Sequence, residues 1–199
     1  MIFEQIPVGH MQNFSYIIGD EETKEAAIVD PGWEIEKILL IAKKHGLNVK
    51  HILITHSHYD HMQQVLDIFN ATNAAVYVHK GDSEEIKNKG IEKIKTVDEG
   101  DEINIGKIKI KVLHTPGHPP GSVCYLADKK LITGDTLFVE NIGRTDLPGG
   151  SARIMAQSLK RLKKLDEKIE VYPGHDYGSM KHSTIGHEKR HNVHMVMLE

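Results

Sequence analysis

Short apolar segments separated by turn-forming residues open the chain. Residues 2–8, 13–18 and 26–29 are rich in β-branched and aromatic side chains, and glycine, aspartate or proline follows each segment. Such segments predict short strands, and the brief connections between them predict antiparallel pairing. Residues 34–45 then place apolar side chains at helical spacing before Gly46, which predicts a helix with one face in the core.

The remainder of the chain repeats this alternation of strands and helices. Further strands are predicted at residues 49–54, 75–79, 103–105, 108–113, 123–127, 131–133 and 170–172, and helices at 82–89, 152–165 and 184–194. Residues 135–150 show no periodicity and predict an irregular loop. Each half of the chain therefore resembles a sheet covered by helices on one side. We expect an α/β fold in which the two sheets pack face to face inside a helical coat.

Length, charge and cysteine content narrow the class of protein. A chain of 199 residues supplies one sizeable core, so residues 1–199 are interpreted as a single domain. The net charge of −3 and the lack of a long basic block argue against nucleic acid or a membrane surface as a partner. A single cysteine, Cys124, and an N-terminus without an export signal predict a cytoplasmic protein.

The unusual compositional feature is histidine, of which there are 14, and three of these lie in one short motif. Residues 55–61 read Thr-His-Ser-His-Tyr-Asp-His and follow a predicted buried strand. If the chain stays extended there, His56, His58 and Asp60 lie on one side, with Asp60 at the N-cap of a following helix. A lone histidine would be interpreted as a hydrogen-bonded polar residue. Three with an aspartate in seven positions predict a metal site.

Later strand ends repeat the same logic. His118 and His175 each follow a Pro-Gly turn after a predicted strand, and Asp135 follows another strand directly. Strand ends on one edge of a sheet bring side chains together, so the sequence offers seven ligands: His56, His58, Asp60, His61, His118, Asp135 and His175. Imidazole and carboxylate donors without thiolate suit Zn(II), Fe or Mn. Seven donors suit two adjacent ions that share a carboxylate.

Taken together, these motifs resemble the metallo-β-lactamase superfamily, over nearly the whole chain from about Asn13 to Asn192. The resemblance implies a four-layer αβ/βα sandwich of two mixed β-sheets flanked by helices. It also implies a ligand set for each of two divalent metal ions, with Zn(II) favoured over Fe or Mn. By this resemblance, His56, His58 and His118 bind the first metal, Asp60, His61 and His175 bind the second, and Asp135 bridges them.

Residues 143–146, 172–178 and 183–186 resemble the glyoxalase II-like hydrolases and the related persulfide dioxygenases. In that group, positions matching Arg144 and Tyr177 border the substrate pocket. The alternatives are a surface turn that pairs Arg144 with Asp146 and a packed Tyr177. The chain has no segment matching the C-terminal extension with which glyoxalase II holds glutathione, so the resemblance leaves the carrier thiol open.

The first functional hypothesis is hydrolysis of a small-molecule thioester by metal-bound hydroxide. A bound metal lowers the pKa of water from about 15.7 toward about 7, and Asp60 would orient the hydroxide as well as bind metal. The alternative is persulfide oxygenation at one Fe(II), held by the two-histidine, one-carboxylate set of His56, His118 and Asp135. A superfamily nuclease is disfavoured by the charge balance. A homodimer is compatible with either reaction.

A competing motif lies near the C-terminus. Residues 187–191 read His-Glu-Lys-Arg-His, the zinc metalloprotease string, and His194 could add a third ligand one turn later. The neighbouring residues are charged, and little of the chain remains to form a cleft. We therefore interpret this segment as the solvated face of a polar helix.

Overall fold

The computed structural model describes residues 1–198 and contains two six-stranded sheets. The strands are β1 (Ile2–Val8), β2 (Asn13–Gly19), β3 (Glu25–Val29), β4 (Asn48–Leu53), β5 (Ala75–His79), β6 (Ile94–Val97), β7 (Glu102–Ile105), β8 (Ile108–His114), β9 (Val123–Ala127), β10 (Lys130–Gly134), β11 (Glu170–Pro173) and β12 (Ser183–Thr184). The helices are α1 (Ile35–Lys44), α2 (Tyr59–Met62), α3 (Val65–Thr72), α4 (Ser83–Lys87), α5 (Ala152–Leu162), α6 (Ile185–His191) and α7 (Val193–Val196).

The first sheet has the order β1-β2-β3-β4-β5-β6. Its first three strands pair antiparallel, as their short connections predicted, and the remaining neighbours pair parallel. Parallel neighbours need a crossover, and α1 supplies it between β3 and β4. The second sheet has the order β12-β11-β10-β9-β8-β7 and is antiparallel except for β10 and β11, which α5 connects.

Three apolar clusters separate four layers. The central cluster contains side chains from both sheets, among them Phe14 and Tyr16 from one and Val112 and Tyr125 from the other. A second cluster lies between the first sheet and α1, α3 and α4, and a third lies between the second sheet and α5, α6 and α7. The predicted four-layer αβ/βα sandwich is therefore confirmed. Among the helices of residues 1–198, none combines the length and hydrophobicity that a membrane span requires.

Several local predictions differ from the structure. Strand β6 was missed because its two central residues are lysine and threonine, and β12 because it has two residues. The expected continuous helix after the histidine motif is broken into α2 and α3, and it begins at Tyr59, so Asp60 is inside it and is not its N-cap. The C-terminal helix is likewise interrupted at Asn192, whose side chain caps α7.

The prediction that residues 187–191 form a solvated face was wrong for Glu188. Glu188 is fully buried, and its carboxylate accepts hydrogen bonds from the Ser183 hydroxyl, the Asn192 amide and the backbone N–H of Glu140. A buried carboxylate satisfied by these donors is a structural group, because its oxygens are already occupied. Helix α6 is thus attached to residue 140 in the long loop after β10.

We expect Glu188→Ala to lower the free energy of unfolding by about 3 kcal/mol, because it leaves several buried donors without an acceptor. Urea unfolding followed by circular dichroism measures this change. The exposed His191 on the same helix provides the control, and His191→Ala is expected to be nearly neutral. Equal stabilities of the two variants would contradict the structural role of Glu188.

Candidate functional site

The seven predicted ligands lie together at the ends of strands from both sheets. His56 to His61 follow β4, His118 follows β8, Asp135 follows β10 and His175 follows β11. Asp135 is central: its carboxylate oxygens lie 3.3 Å from His61 Nε2, 3.5 Å from His118 Nε2 and 3.3 Å from His175 Nε2. Four segments distant in sequence therefore converge, although whether they bind metal stays a prediction.

The donor atoms form two adjacent groups. His56, His58 and His118 offer ring nitrogens that all lie within 4.8 Å of one another. Asp60, His61 and His175 form a second group by the same measure. The expectation that Asp60 shares a side with His56 and His58 was wrong, because the chain becomes helical at Tyr59 and turns Asp60 toward His61. The grouping matches the two ligand sets that the family resemblance implied.

Hydrogen bonds at Nδ1 fix the orientation of the imidazoles. His118 Nδ1 lies 2.6 Å from the Arg144 carbonyl oxygen, and His175 Nδ1 lies 2.9 Å from that of Met11. A carbonyl oxygen can only accept, so Nδ1 carries a proton in both rings and Nε2 is the nitrogen that faces the site. His61 Nδ1 likewise lies 3.0 Å from a carboxylate oxygen of Asp30. Such contacts are typical of metal-binding histidines.

His56 is oriented through a hydroxyl. Its Nδ1 lies 3.0 Å from Thr55 Oγ1, and that hydroxyl donates its own hydrogen to Asp30. Thr55 Oγ1 must therefore accept from His56, which leaves the lone pair of Nε2 free. His56 Nε2, His118 Nε2 and Asp135 Oδ1 are all buried without a hydrogen-bond partner. Unpaired buried polar atoms cost about 1–3 kcal/mol each, so their convergence fits a cation-binding site.

Electrostatic shifts support the same interpretation. Burial lowers the pKa of His56 well below its usual value, and the neighbouring histidines add to this effect. For His175, burial also acts to lower the pKa, but hydrogen bonds to Asp135 and Asp60 outweigh it and raise the pKa to about 9. In the second group, therefore, the protonated His175 ring offsets the negative charge of the Asp60 and Asp135 carboxylates. A divalent cation would displace these protons on binding.

Sequence reasoning missed the residues that position the ligands. Asp30 accepts from the backbone N–H of Thr55 at 2.7 Å as well as from the Thr55 hydroxyl and His61. Asn13 Nδ2 donates to Asp60 Oδ2 at 2.8 Å. In the sequence, Asp30 appeared only as a turn-forming residue after a strand, and Asn13 only as the first residue of a predicted strand. Gly32 is also required, because a Cβ there would lie 1.8 Å from the Asp60 carbonyl oxygen.

A further positioning residue is Asp82, which is 4% exposed. Its Oδ2 accepts from the backbone N–H of Ser57, between His56 and His58, at 2.8 Å. Its Oδ1 accepts from the N–H of Gly121, three residues after His118, also at 2.8 Å. One carboxylate thus joins the two loops that carry the first group of histidines.

A cavity of about 620 Å³ lies above these groups. His58, Asp60, His118, Asp135 and His175 line its floor, and Met11, Tyr59, Phe138, Ile142 and Leu147 are among the residues of its wall. Arg144 and Tyr177 also line it, as the family resemblance implied. Their alternative descriptions hold as well: Arg144 is exposed and paired with Asp146, and the Tyr177 ring stacks on His175. Whether either contacts substrate stays a prediction.

The protease-like motif does not form a comparable site. Among the residues that the structure describes, His187 and His191 belong to none of the groups able to hold a metal. Glu188 is buried among donors, and His187 Nε2 lies 3.0 Å from Glu140. These contacts give the segment a structural role.

Among the residues that the structure describes, Asp30, His56 and His61 within the site also have metal-compatible spacing, and so do His79, Asp98 and His114 outside it. His79 Nδ1 accepts the backbone N–H of Gly81 at 3.0 Å, so its Nε2 carries the proton and cannot bind a metal. The group outside the site is therefore better described as a stacked pair of imidazoles, His79 on His114, beside the Asp98 carboxylate.

Comparison with known proteins agrees with the family resemblance that the sequence motifs indicated. A family model described as the metallo-beta-lactamase superfamily matches residues 8–175. The chain is 34% identical over 183 residues to the probable polyketide biosynthesis zinc-dependent hydrolase PksB of Bacillus subtilis. The aligned region covers 92% of this chain and 81% of PksB. It is 32% identical over 210 residues to the hydroxyacylglutathione hydrolase GloC of Haemophilus influenzae, covering 96% of this chain and 97% of GloC.

Solved structures agree closely in fold. ETHE1 from Myxococcus xanthus is 36% identical with a TM-score of 0.88, over 97% of this chain and 84% of ETHE1. TTHA1623, solved in a di-iron-bound form, is 32% identical with a TM-score of 0.82, over 96% of this chain and 98% of TTHA1623.

We expect Asp82→Ala to weaken metal binding by the His56, His58 and His118 group by about 10- to 100-fold, because the two loops lose their common acceptor. The second group should be much less affected. Titration of the metal-free protein with Co(II), followed by absorbance, measures the two binding steps separately. Glu84→Ala changes a nearby exposed carboxylate and is the control. Equal weakening of both steps would contradict a specific role for Asp82.

Proposed function

Because this chain belongs to the metallo-β-lactamase superfamily and is a metal-binding enzyme, we propose that it hydrolyses a thioester of a small thiol. The observation that carries the proposal is the pair of donor groups on either side of Asp135, with imidazole Nε2 atoms directed inward. The names of PksB, a zinc-dependent hydrolase, and GloC, a hydroxyacylglutathione hydrolase, support the same reaction class.

The cofactor we propose is a pair of divalent ions. His56, His58 and His118 would hold one, Asp60, His61 and His175 the other, and Asp135 would contact both. Zn(II) is supported by the name of PksB, while the di-iron form of TTHA1623 supports iron in a related fold. Bound ions would lower the pKa of water and polarise the thioester carbonyl.

The residues of the chain would supply positioning around this centre. The Asn13 amide holds Asp60 at the edge of the cavity, where the carboxylate would orient the attacking water. Water adds to the carbonyl carbon, the carbon–sulfur bond breaks, and the products are a carboxylic acid and a thiol. The leaving thiolate needs no strong general acid, because the pKa of a free thiol is only about 8.5.

A cysteine nucleophile is not part of the proposal. Cys124 is fully buried, and burial raises the pKa of its thiol to about 12, so it remains protonated near neutral pH. It packs in the cluster between the second sheet and its helices. We also propose that the substrate is a small molecule, that the protein is cytoplasmic and that residues 1–199 form one domain.

A second reaction, oxygenation of a persulfide at one Fe(II), is also supported by specific observations. The ligands for that ion would be His56, His118 and Asp135, the three site residues with buried donor atoms that lack a hydrogen bond. Two histidines and one carboxylate with open positions are typical of non-haem iron oxygenases. The likeness to ETHE1 fits this alternative.

Metal analysis of anaerobically purified protein, combined with thioester-cleavage and oxygen-uptake assays, separates the two reactions. We expect about two ions per chain and thiol release without oxygen consumption. One iron per chain with oxygen consumption on a persulfide would select the alternative. Cleavage that survives complete removal of metal would contradict both.

We expect Asp135→Ala to abolish activity and to lower metal content, because it removes the carboxylate shared by both donor groups. Elemental analysis and the cleavage assay measure the two effects. Asp146→Ala, which changes an exposed carboxylate on the same loop, is the control for metal content. An active and fully metallated Asp135→Ala protein would refute the bridging assignment.

A further inference from the structure

The wall of the cavity differs in chemistry from its floor. Phe138, Ile142 and Leu147 present apolar side chains on the loop that follows β10, and Tyr59 and Tyr177 lie at the opening, each about half exposed. The polar groups that converge on the floor are the proposed metal ligands. A substrate that reaches the floor must therefore place the rest of its structure against apolar and aromatic surface.

The hydroxyl groups of the two tyrosines are already engaged. Tyr59 donates to the sulfur of Met11 at 2.9 Å, and Tyr177 donates to the Met11 carbonyl oxygen at 3.0 Å. The Tyr177 ring also stacks on His175 with 4.5 Å between centroids, and Phe138 meets it edge-on at 5.6 Å. Because these contacts use the polar tips, the two residues offer a ligand mainly their ring surfaces.

Apart from the histidines of the floor, Arg144 is the one basic side chain among the residues that line the cavity. Its guanidinium donates to both carboxylate oxygens of Asp146, at 3.0 and 2.8 Å. Asn141, a neutral lining residue, uses its side-chain oxygen to accept the N–H of Ile142. The wall therefore offers no cation free of its own counter-ion to pair with a substrate carboxylate.

We propose that the substrate is a thioester whose acyl group and carrier thiol are uncharged and largely apolar within the cavity, and that thioesters of anionic thiols such as glutathione are poor substrates. This inference rests on the proposed thioester hydrolysis. An uncharged chain gains by leaving water for the apolar wall. A carboxylate in the same place loses hydration and meets only a guanidinium whose charge Asp146 already neutralises.

Binding of two non-hydrolysable thioethers to the metal-loaded protein tests the ligand class without requiring turnover. S-hexyl-N-acetylcysteamine is neutral, and S-hexylglutathione carries the same alkyl group on an anionic thiol. By isothermal titration calorimetry we expect the neutral ligand to bind about tenfold more tightly. Shortening hexyl to butyl should weaken binding by about fourfold per methylene.

A single substitution should change the preference. Asp146→Asn removes the counter-ion of Arg144 while keeping a side chain of similar shape, so Arg144 becomes free to pair with a ligand carboxylate. We expect affinity for S-hexylglutathione to rise about fivefold, with no change for the neutral ligand. The matched control is the double variant Arg144→Gln with Asp146→Asn, which should lose this gain.

Equal or tighter binding of S-hexylglutathione by the unmodified protein, or the absence of any effect of chain length, would overturn the inference. The cleavage assay with butanoyl thioesters of both thiols separates this result from the proposed function. If neither thioester is cleaved, the hydrolase proposal fails, while the ranking of the two thioethers still decides which ligand class the cavity accepts.

Discussion

The protonation of four buried imidazoles at Nδ1 is the constraint on which the site depends. Acceptors from distant segments hold these protons: the carbonyl oxygens of Met11 and Arg144, the Asp30 carboxylate and the Thr55 hydroxyl. Each contact directs the Nε2 atom of its ring into a small buried space. There, His56 Nε2 and His118 Nε2 have no hydrogen-bond partner, whereas His61 Nε2 and His175 Nε2 lie against the carboxylates of Asp60 and Asp135. Unpaired imidazole nitrogens beside buried carboxylates form an arrangement that bound cations would stabilise.

The sandwich explains how these contacts are possible. Two sheets packed on one shared core bring the ends of β4, β8, β10 and β11 to the same edge. Ligands placed just beyond strand ends are held rigidly because the strands are fixed in the core, while the polar atoms of the ligands lie outside it. Asp30 and Asp82 then join loops that belong to different strands, so the relative positions of the ligands depend on buried hydrogen bonds as well as on the strands.

The main architecture and the seven predicted ligands could be predicted from the sequence because both leave local signals. Short β-branched segments mark strands, and a histidine after a Pro-Gly turn or an aspartate directly after a strand marks a strand end. Asp82 and Asn13 could not be found in this way, because their roles depend on contacts with residues 39 and 47 positions away in sequence. The same reason explains Glu188: charged neighbours predicted a solvated helix face, whereas tertiary contacts bury its carboxylate.

The position of Glu188 links the C-terminal helices to the wall of the cavity. Its carboxylate accepts the N–H of Glu140, and Asn192 donates to the carbonyl oxygen of Asn141, so α6 and the residue after it hold the loop that forms the cavity wall. The floor is fixed by the core, and either of the two proposed reactions, hydrolysis or oxygenation, would use it. The wall is fixed by a few hydrogen bonds to one helix. A fold built in this way can retain its metal chemistry while the loop and helix change together, and differences in specificity are therefore expected to arise in the wall.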